Sequence, residues 1–136
     1  MGTHQRGSAL GIPQLCDVQL NVNSPVSVLL ITPGFAANEQ DDTCIPPLQL
    51  LVKALQQQHI QVFIIALEYP FQSTPYEWYG ARVLPCNGKN RKWMRLRTHT
   101  RAQRWAQQLI PQENIRVLYS FWLGQAWQLG KKLAAD

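Results

Sequence analysis

No stretch of this chain approaches the roughly 18 consecutive apolar residues that a membrane-spanning helix requires, so no helical span is expected within its 136 residues. Residues 1–24 are interrupted by Gly2, Gly7, Gly11 and Pro13 and hold no apolar core of the about 7–15 residues a secretion signal uses. They read as a flexible leader or an expression remnant, leaving 25–136 as one domain. Cysteine is scarce. Cys16, Cys44 and Cys86 lack metal-ligand spacing and cannot all pair with one another, which favours a reducing, cytoplasmic setting. His4, His59 and His99 are scattered, so no metal is expected. Charged residues make up only 15% of the chain against 46% hydrophobic, a balance that excludes intrinsic disorder.

Phosphate-binding fingerprints are missing too. A dinucleotide site needs G-x-G-x-x-G after the first strand, whereas the first turn here carries only Gly34 followed by a bulky Phe35. There is no P-loop. A nucleophile elbow at Ser120 would need small residues two positions to either side. Leu118 and Trp122 stand there instead, and no acid–histidine pair follows. Ser120 therefore reads as a serine at a strand end.

What is present is an alternation of buried strands and amphipathic helices. Val26–Thr32 is a continuous β-branched-rich run ending at Pro33-Gly34, as a strand buried on both faces would be. After the loop 33–43, Asp42 or Thr43 can cap a helix whose first turn holds Pro46 and Pro47. Leu48, Leu51, Val52 and Leu55 recur along it at helical spacing. Ile60–Leu67 is a second buried strand, which makes the unit a right-handed parallel crossover. A short strand around Ala81–Leu84 comes next, then a helix from Arg91 to Ile110 that Pro111 should stop. A strand at Ile115–Tyr119 follows. The last helix, Gly124–Ala134, is expected to turn Trp127, Gly130, Leu133 and Ala134 inward. This order predicts an α/β fold with a mostly parallel sheet covered by helices on both faces, and ligands at the carboxyl ends of its strands.

The net charge of +5 is unevenly placed. Lys89, Arg91, Lys92, Arg95, Arg97, Arg101 and Arg104 lie together without an acid among them, a local excess larger than that of the whole chain. Three readings compete: a solvated helix face, a patch for an anionic membrane surface helped by Trp93, Met94 and Trp105, and a phosphate-binding surface for nucleic acid. No nucleic-acid-binding motif accompanies the charge, so no nucleic-acid partner is expected. A non-catalytic module that docks a protein or an anionic membrane through 89–104 is one reading of the whole domain.

Taken in order, several segments resemble the N-terminal domain of family 4 glycosyltransferases of the GT-B fold. They are TPGF at 32–35, E-x-D-D-T-C-x-P from Glu39 to Pro46, EYPF at 68–71, W-x-G-x-R-V from Trp78 to Val83, NGKNR at 87–91 and SFWLG from Ser120 to Gly124. The likeness spans about residues 26–136. It implies a Rossmann-like three-layer domain that supplies the acceptor side of an enzyme moving a sugar from a nucleotide-sugar to a glycan or lipid-linked acceptor. The nucleotide-sugar would be a substrate, and no cofactor is implied.

On that resemblance the loop 33–43 would lie near the donor phosphates, with backbone around Gly34 and Phe35 and the helix start at Asp42, Thr43 and Cys44 supplying N–H groups. Tyr119, Ser120 and Trp122 would line the acceptor pocket, Trp122 as a flat wall for a sugar. The chain departs from the family in two places. Asp42-Thr43 stand where many members have Gly-Gly, and Tyr119 and Phe121 replace a His-x-His pattern, so no imidazole is available there and no catalytic residue is assigned. The family's C-terminal E-x7-E segment has no counterpart before Asp136. A domain lacking its C-terminal partner is expected to be inactive alone and to self-associate through uncovered apolar surface.

Overall fold

The computed structural model describes residues 25–121 and 125–135; the leader 1–24, Trp122, Leu123, Gly124 and Asp136 lie outside the described residues. The aliphatic run after Val26 offers no polar face to water. It forms β1 (Ser27–Gly34), buried at every position except the half-buried Pro33. The helix α1 (Pro46–Gln57) leads into β2 (Gln61–Tyr69), which is buried from Val62 to Glu68. A hairpin follows, β3 (Tyr76–Trp78) and β4 (Ala81–Pro85), then a 3-10 turn at Lys92–Met94 and the long helix α2 (Arg95–Gln112). The edge strand β5 (Ile115–Ser120) and the helix α3 (Gln125–Ala135) complete the described chain.

The sheet order is β3-β4-β2-β1-β5. β1 is the hub. It pairs in parallel with β2 from Ser27↔Gln61 to Thr32↔Ala66, and with β5 from Val28↔Val117 to Ile31↔Ser120. β2 and β4 are also parallel, whereas β3 runs antiparallel to β4 with Trp78 opposite Ala81. The fold is therefore α/β, with a five-stranded, mostly parallel sheet and three helices among the described residues.

Period-two alternation divides the core in two. Leu29, Ile31, Phe63, Ile65, Leu67 and Leu84 face Ala102, Ala106 and Leu109 of α2 and Ala126, Leu129 and Leu133 of α3. Val28, Leu30, Val62, Ile64 and Val83 face the other way, against Leu48 and Val52 of α1. Phe35 and Trp78 join this second cluster, with ring centroids 4.9 Å apart in an edge-to-face pair.

Several expectations need correction. The strand β3 escaped notice because three residues are too few to show alternation. Its turn, Tyr79-Gly80, has positive φ at both residues without the usual Asn-Gly signal. Neither Asp42 nor Thr43 caps α1; the cap position is Ile45, in the left-handed region and without a side-chain cap. Leu51 is exposed, so the buried stripe of α1 runs through Leu48, Gln49 and Val52. Pro111 does not stop α2, which continues to Gln112. Glu113 N–H donates to Leu109 O, and the chain then turns away at Asn114, φ 51°. In α3 the inward residues are Ala126, Leu129, Gly130 and Leu133; Trp127 and Ala134 point outward.

Gly130 marks where α3 comes closest to β5. A Cβ there would overlap Ser120 Oγ and sit 3.1 Å from Ser120 Cβ. The Gly130→Ala variant is expected to lose about 1–3 kcal/mol in urea unfolding through overpacking. Adding Ser120→Ala to that variant should restore most of the loss, because it removes the overlapping oxygen.

Candidate functional site at the carboxyl rim of the sheet

The chain leaves β1 toward α1 on one face of the sheet and leaves β5 toward α3 on the other. In a parallel sheet this divergence opens a crevice at the carboxyl ends of the two strands, where such folds bind ligands. Phe121 N–H donates to Ile31 O at 2.9 Å, so the segment after β5 starts directly beside the end of β1. The turn at 33–35 and the segment leaving Ser120 thus emerge side by side.

The chain matches no family model, no curated protein and no solved structure.

The loop after β1 is held by a residue the sequence reading passed over. Asp41 Oδ2 accepts Ala37 N–H at 3.0 Å and the Tyr69 hydroxyl at 2.9 Å, and its Oδ1 accepts the Thr43 hydroxyl at 3.0 Å. The bond from Ala37, reinforced by Tyr69 and Thr43, holds the Asp41 carboxyl below the usual carboxylate range. The same carboxylate raises the Tyr69 phenol, and burial aided by Asp41 raises the Cys44 thiol. Gln49 reaches back from α1 to donate to Asp41 O at 2.9 Å and Cys44 O at 2.8 Å. From the other side, Phe35 N–H donates to Tyr69 O at 3.1 Å and Trp78 Nε1–H to Asn38 O at 3.2 Å. The Tyr76 hydroxyl donates to Ala36 O. Burial is the main cause that raises the Tyr76 phenol, so it stays protonated and keeps donating. The loop is a braced platform.

The expected site residues fall into three groups. Gly34 lies in the floor of the crevice. A Cβ there would make ordinary contacts with Tyr69 Cβ at 3.4 Å and Cys44 Sγ at 3.6 Å, so its bare side faces the protein interior. Phe35 is fully buried and can offer only backbone. Asp42 and Thr43 are exposed on the loop. Tyr119 is 56% exposed and stacks on Phe121 at 6.1 Å, giving the crevice an aromatic side on the α1 face. Ser120 turns its hydroxyl toward Gly130, away from that face. Trp122 lies outside the described residues.

The residues expected to form the N–H cradle, Asp42, Thr43 and Cys44, precede α1, which begins at Pro46. Pro46 and Pro47 carry no N–H, and Leu48 and Gln49 donate to Ile45 O at 3.0 and 3.3 Å. A helix N-terminus binds anions through free N–H groups, and here the first turn has used or lost its own.

The basic residues lie elsewhere. Lys89 is at the end of the loop after β4, Arg91 and Lys92 at the 3-10 turn, and Arg95, Arg97, Arg101 and Arg104 along α2. Trp93 and Leu96 among them are 73% and 81% exposed. Arg101 donates to Ser73 O at 2.7 Å and stacks over Trp105 at 4.7 Å, so it is tied to the fold, unlike the exposed Arg97 and Arg104. Among the described residues no group of three His, Cys, Asp or Glu could hold a metal ion, and no helix is long and apolar enough to cross a membrane.

Asp41 gives the platform a pH dependence with a definite sign. Its folded pKa is depressed, so its contribution is present above the unfolded value of about 3.9 and is lost as pH falls through the lower folded value. In urea unfolding at pH 7 the Asp41→Asn variant is expected to be less stable than the wild type. The gap should close progressively below about pH 4, and equal stabilities at neutral pH would show that the carboxylate is not what holds the loop.

Proposed function

We propose that the chain is the acceptor-side, Rossmann-like three-layer domain of a GT-B glycosyltransferase, working on a nucleotide-sugar donor and a glycan or lipid-linked acceptor. One observation carries the reading: the TPGF turn and Ser120-Phe121, the start of the SFWLG motif, leave adjacent parallel strands at the carboxyl rim, with Ile31 opposite Ser120. The resemblance to family 4 enzymes requires those two segments to flank one crevice. Four parallel strands in the order β4-β2-β1-β5, with the reversal of order falling at β1, support the same reading, since ligands of open α/β sheets bind at that point.

In this reading the braced loop 35–44 forms one wall of the acceptor site. Backbone at Gly34 lies at its floor, and Tyr119 and Phe121 present aromatic surface to a sugar. Asp42 and Thr43, exposed at the loop, are placed to meet acceptor hydroxyls. The chain's own residues bind and orient; the donor-binding domain of such an enzyme supplies the nucleotide contacts and completes the transfer. The setting is cytoplasmic. Apolar groups left open at the β5 edge, Val117 and Tyr119, favour self-association of the chain when it is alone.

A second reading has its own observation. Trp93 and Leu96 stand exposed among Arg91, Arg95 and Arg97, the mixture of apolar and cationic groups that enters an anionic membrane surface. It is compatible with the first, because a lipid-linked acceptor is met at such a surface.

Amide chemical-shift mapping with a soluble acceptor analogue such as octyl glucoside, in the presence of UDP-glucose, tests the main reading. Shifts are expected in segments 34–44 and 119–121, with no release of nucleotide on prolonged incubation. Silence in both segments, or turnover by this chain alone, would overturn it.

A further inference from the structure

We propose that a second site on the carboxyl rim, between the loop after β4 and the first turns of α2, binds the phosphate of a small phosphorylated polyol. The cavity is lined by Ser73, Asn87, Lys89, Arg97, Thr98 and Arg101, with Cys86 and Met94 as its apolar floor. Its volume is about 230 Å³. That is below the roughly 300–1,000 Å³ of sites for drug-sized ligands, so it fits a compact phosphorylated group.

Three cations converge on this space. Among the described residues Lys89 and Arg97 form no ion pair with a carboxylate, and Arg101 donates to the Ser73 carbonyl and lies over the Trp105 ring. Like charges gathered around one cavity repel each other, and a phosphate with two or more guanidinium or ammonium donors relieves that repulsion through short, charge-assisted hydrogen bonds. Arg101 is fixed in place by its contacts. Lys89 rises from a loop bound to β2 through Gly88 N–H to Leu67 O at 2.9 Å, Lys89 N–H to Glu68 O at 3.2 Å and Asn90 N–H to Glu68 Oε2 at 2.7 Å. A Cβ at Gly88 would overlap Glu68 Oε2 and sit 2.8 Å from Leu67 O, so only glycine lets the loop lie this close.

A second observation identifies the rest of the ligand. Asn87 donates through Nδ2 to Ser73 Oγ at 3.3 Å, while its Oδ1 is buried and accepts no hydrogen bond. An unsatisfied buried acceptor is costly and wants a donor. A phosphate dianion has none to give, whereas a hydroxyl on the carbon skeleton bearing the phosphate does. The cations and the orphaned amide oxygen together select a phosphate monoester with a neighbouring hydroxyl. The larger grooves along α2 and between α2 and α3 are lined by helix surface alone and offer no such acceptor.

The site lies at the end of β4, separated from β1 by β2. With strands about 4.8 Å apart it is on the order of 10 Å from the crevice at Gly34. The inference stands without the sugar-transfer reading, because its residues do not overlap the segments 34–44 and 119–121 that form the crevice.

The same glycerol-linked phosphate can be offered free or on a lipid. Glycerol phosphate is titrated into the chain by calorimetry, and phosphatidylcholine vesicles with and without lysophosphatidic acid, which keeps a free hydroxyl next to the carbon bearing the phosphate, are used for flotation. Arg97→Gln and Lys89→Gln are expected to weaken binding of the form that binds by about tenfold or more. Arg104→Gln removes the same charge outside the cavity and is expected to leave it unchanged. Binding of free glycerol phosphate identifies a soluble ligand; binding only of lysophosphatidic acid vesicles, with the same dependence on Arg97 and Lys89, identifies a lipid headgroup. Equal losses for Arg97→Gln and Arg104→Gln would reduce the effect to general charge and overturn the proposal, as would absence of binding in both arms.

Discussion

The architecture turns on the parallel pairing of β1 with a neighbour on each side. Because β1 is buried on both faces and hydrogen-bonded along both edges, its register fixes β2 and β5 at once. The two helical connections that follow can only leave to opposite faces, and the crevice at its carboxyl end is a consequence of that separation. No residue of the crevice needs to be unusual for the cleft to exist. Specific side chains enter later, in the bracing of the loop and in the aromatic pair beside it.

Much of the fold was legible because apolar content and length speak clearly for buried parallel strands. The runs at 26–32 and 60–67 lack alternation, as strands covered on both faces must, and both are strands in the sheet. Signals that depend on one or two residues were less reliable. Pro111 predicts the end of a helix from its own chemistry, but near the last turn the loss is small and α2 absorbs it. Trp127 is apolar and sits at helical spacing, yet the close approach of α3 to β5 at Gly130 fixes the helix's rotation and leaves the indole outside. A three-residue strand such as β3 carries too little pattern to be seen at all.

The site was less legible than the fold, for a related reason. Sequence reading weighed Asp42 and Thr43 as caps because they precede prolines at a helix start. Their neighbour Asp41 holds the loop instead, through partners 4 and 28 residues away in sequence. Long-range contacts of that kind leave no local signature. The cavity beside α2 combines Ser73, a loop after β4 and one face of a helix, and only the fold brings them together. The excess of positive charge was visible in the chain; its division into three cations lining one cavity and a remainder outside it was not.

The bracing around Asp41 couples the rim to a distant part of the sheet. Its carboxylate ties position 37 on one side and position 43 on the other. The tip between them is tied to the β3–β4 hairpin, where Trp78 Nε1–H donates to Asn38 O and Tyr79 N–H to Glu39 Oε1. The wall of the crevice can therefore shift only together with that hairpin, and a change of sequence at the Tyr79-Gly80 turn reaches the rim without touching it.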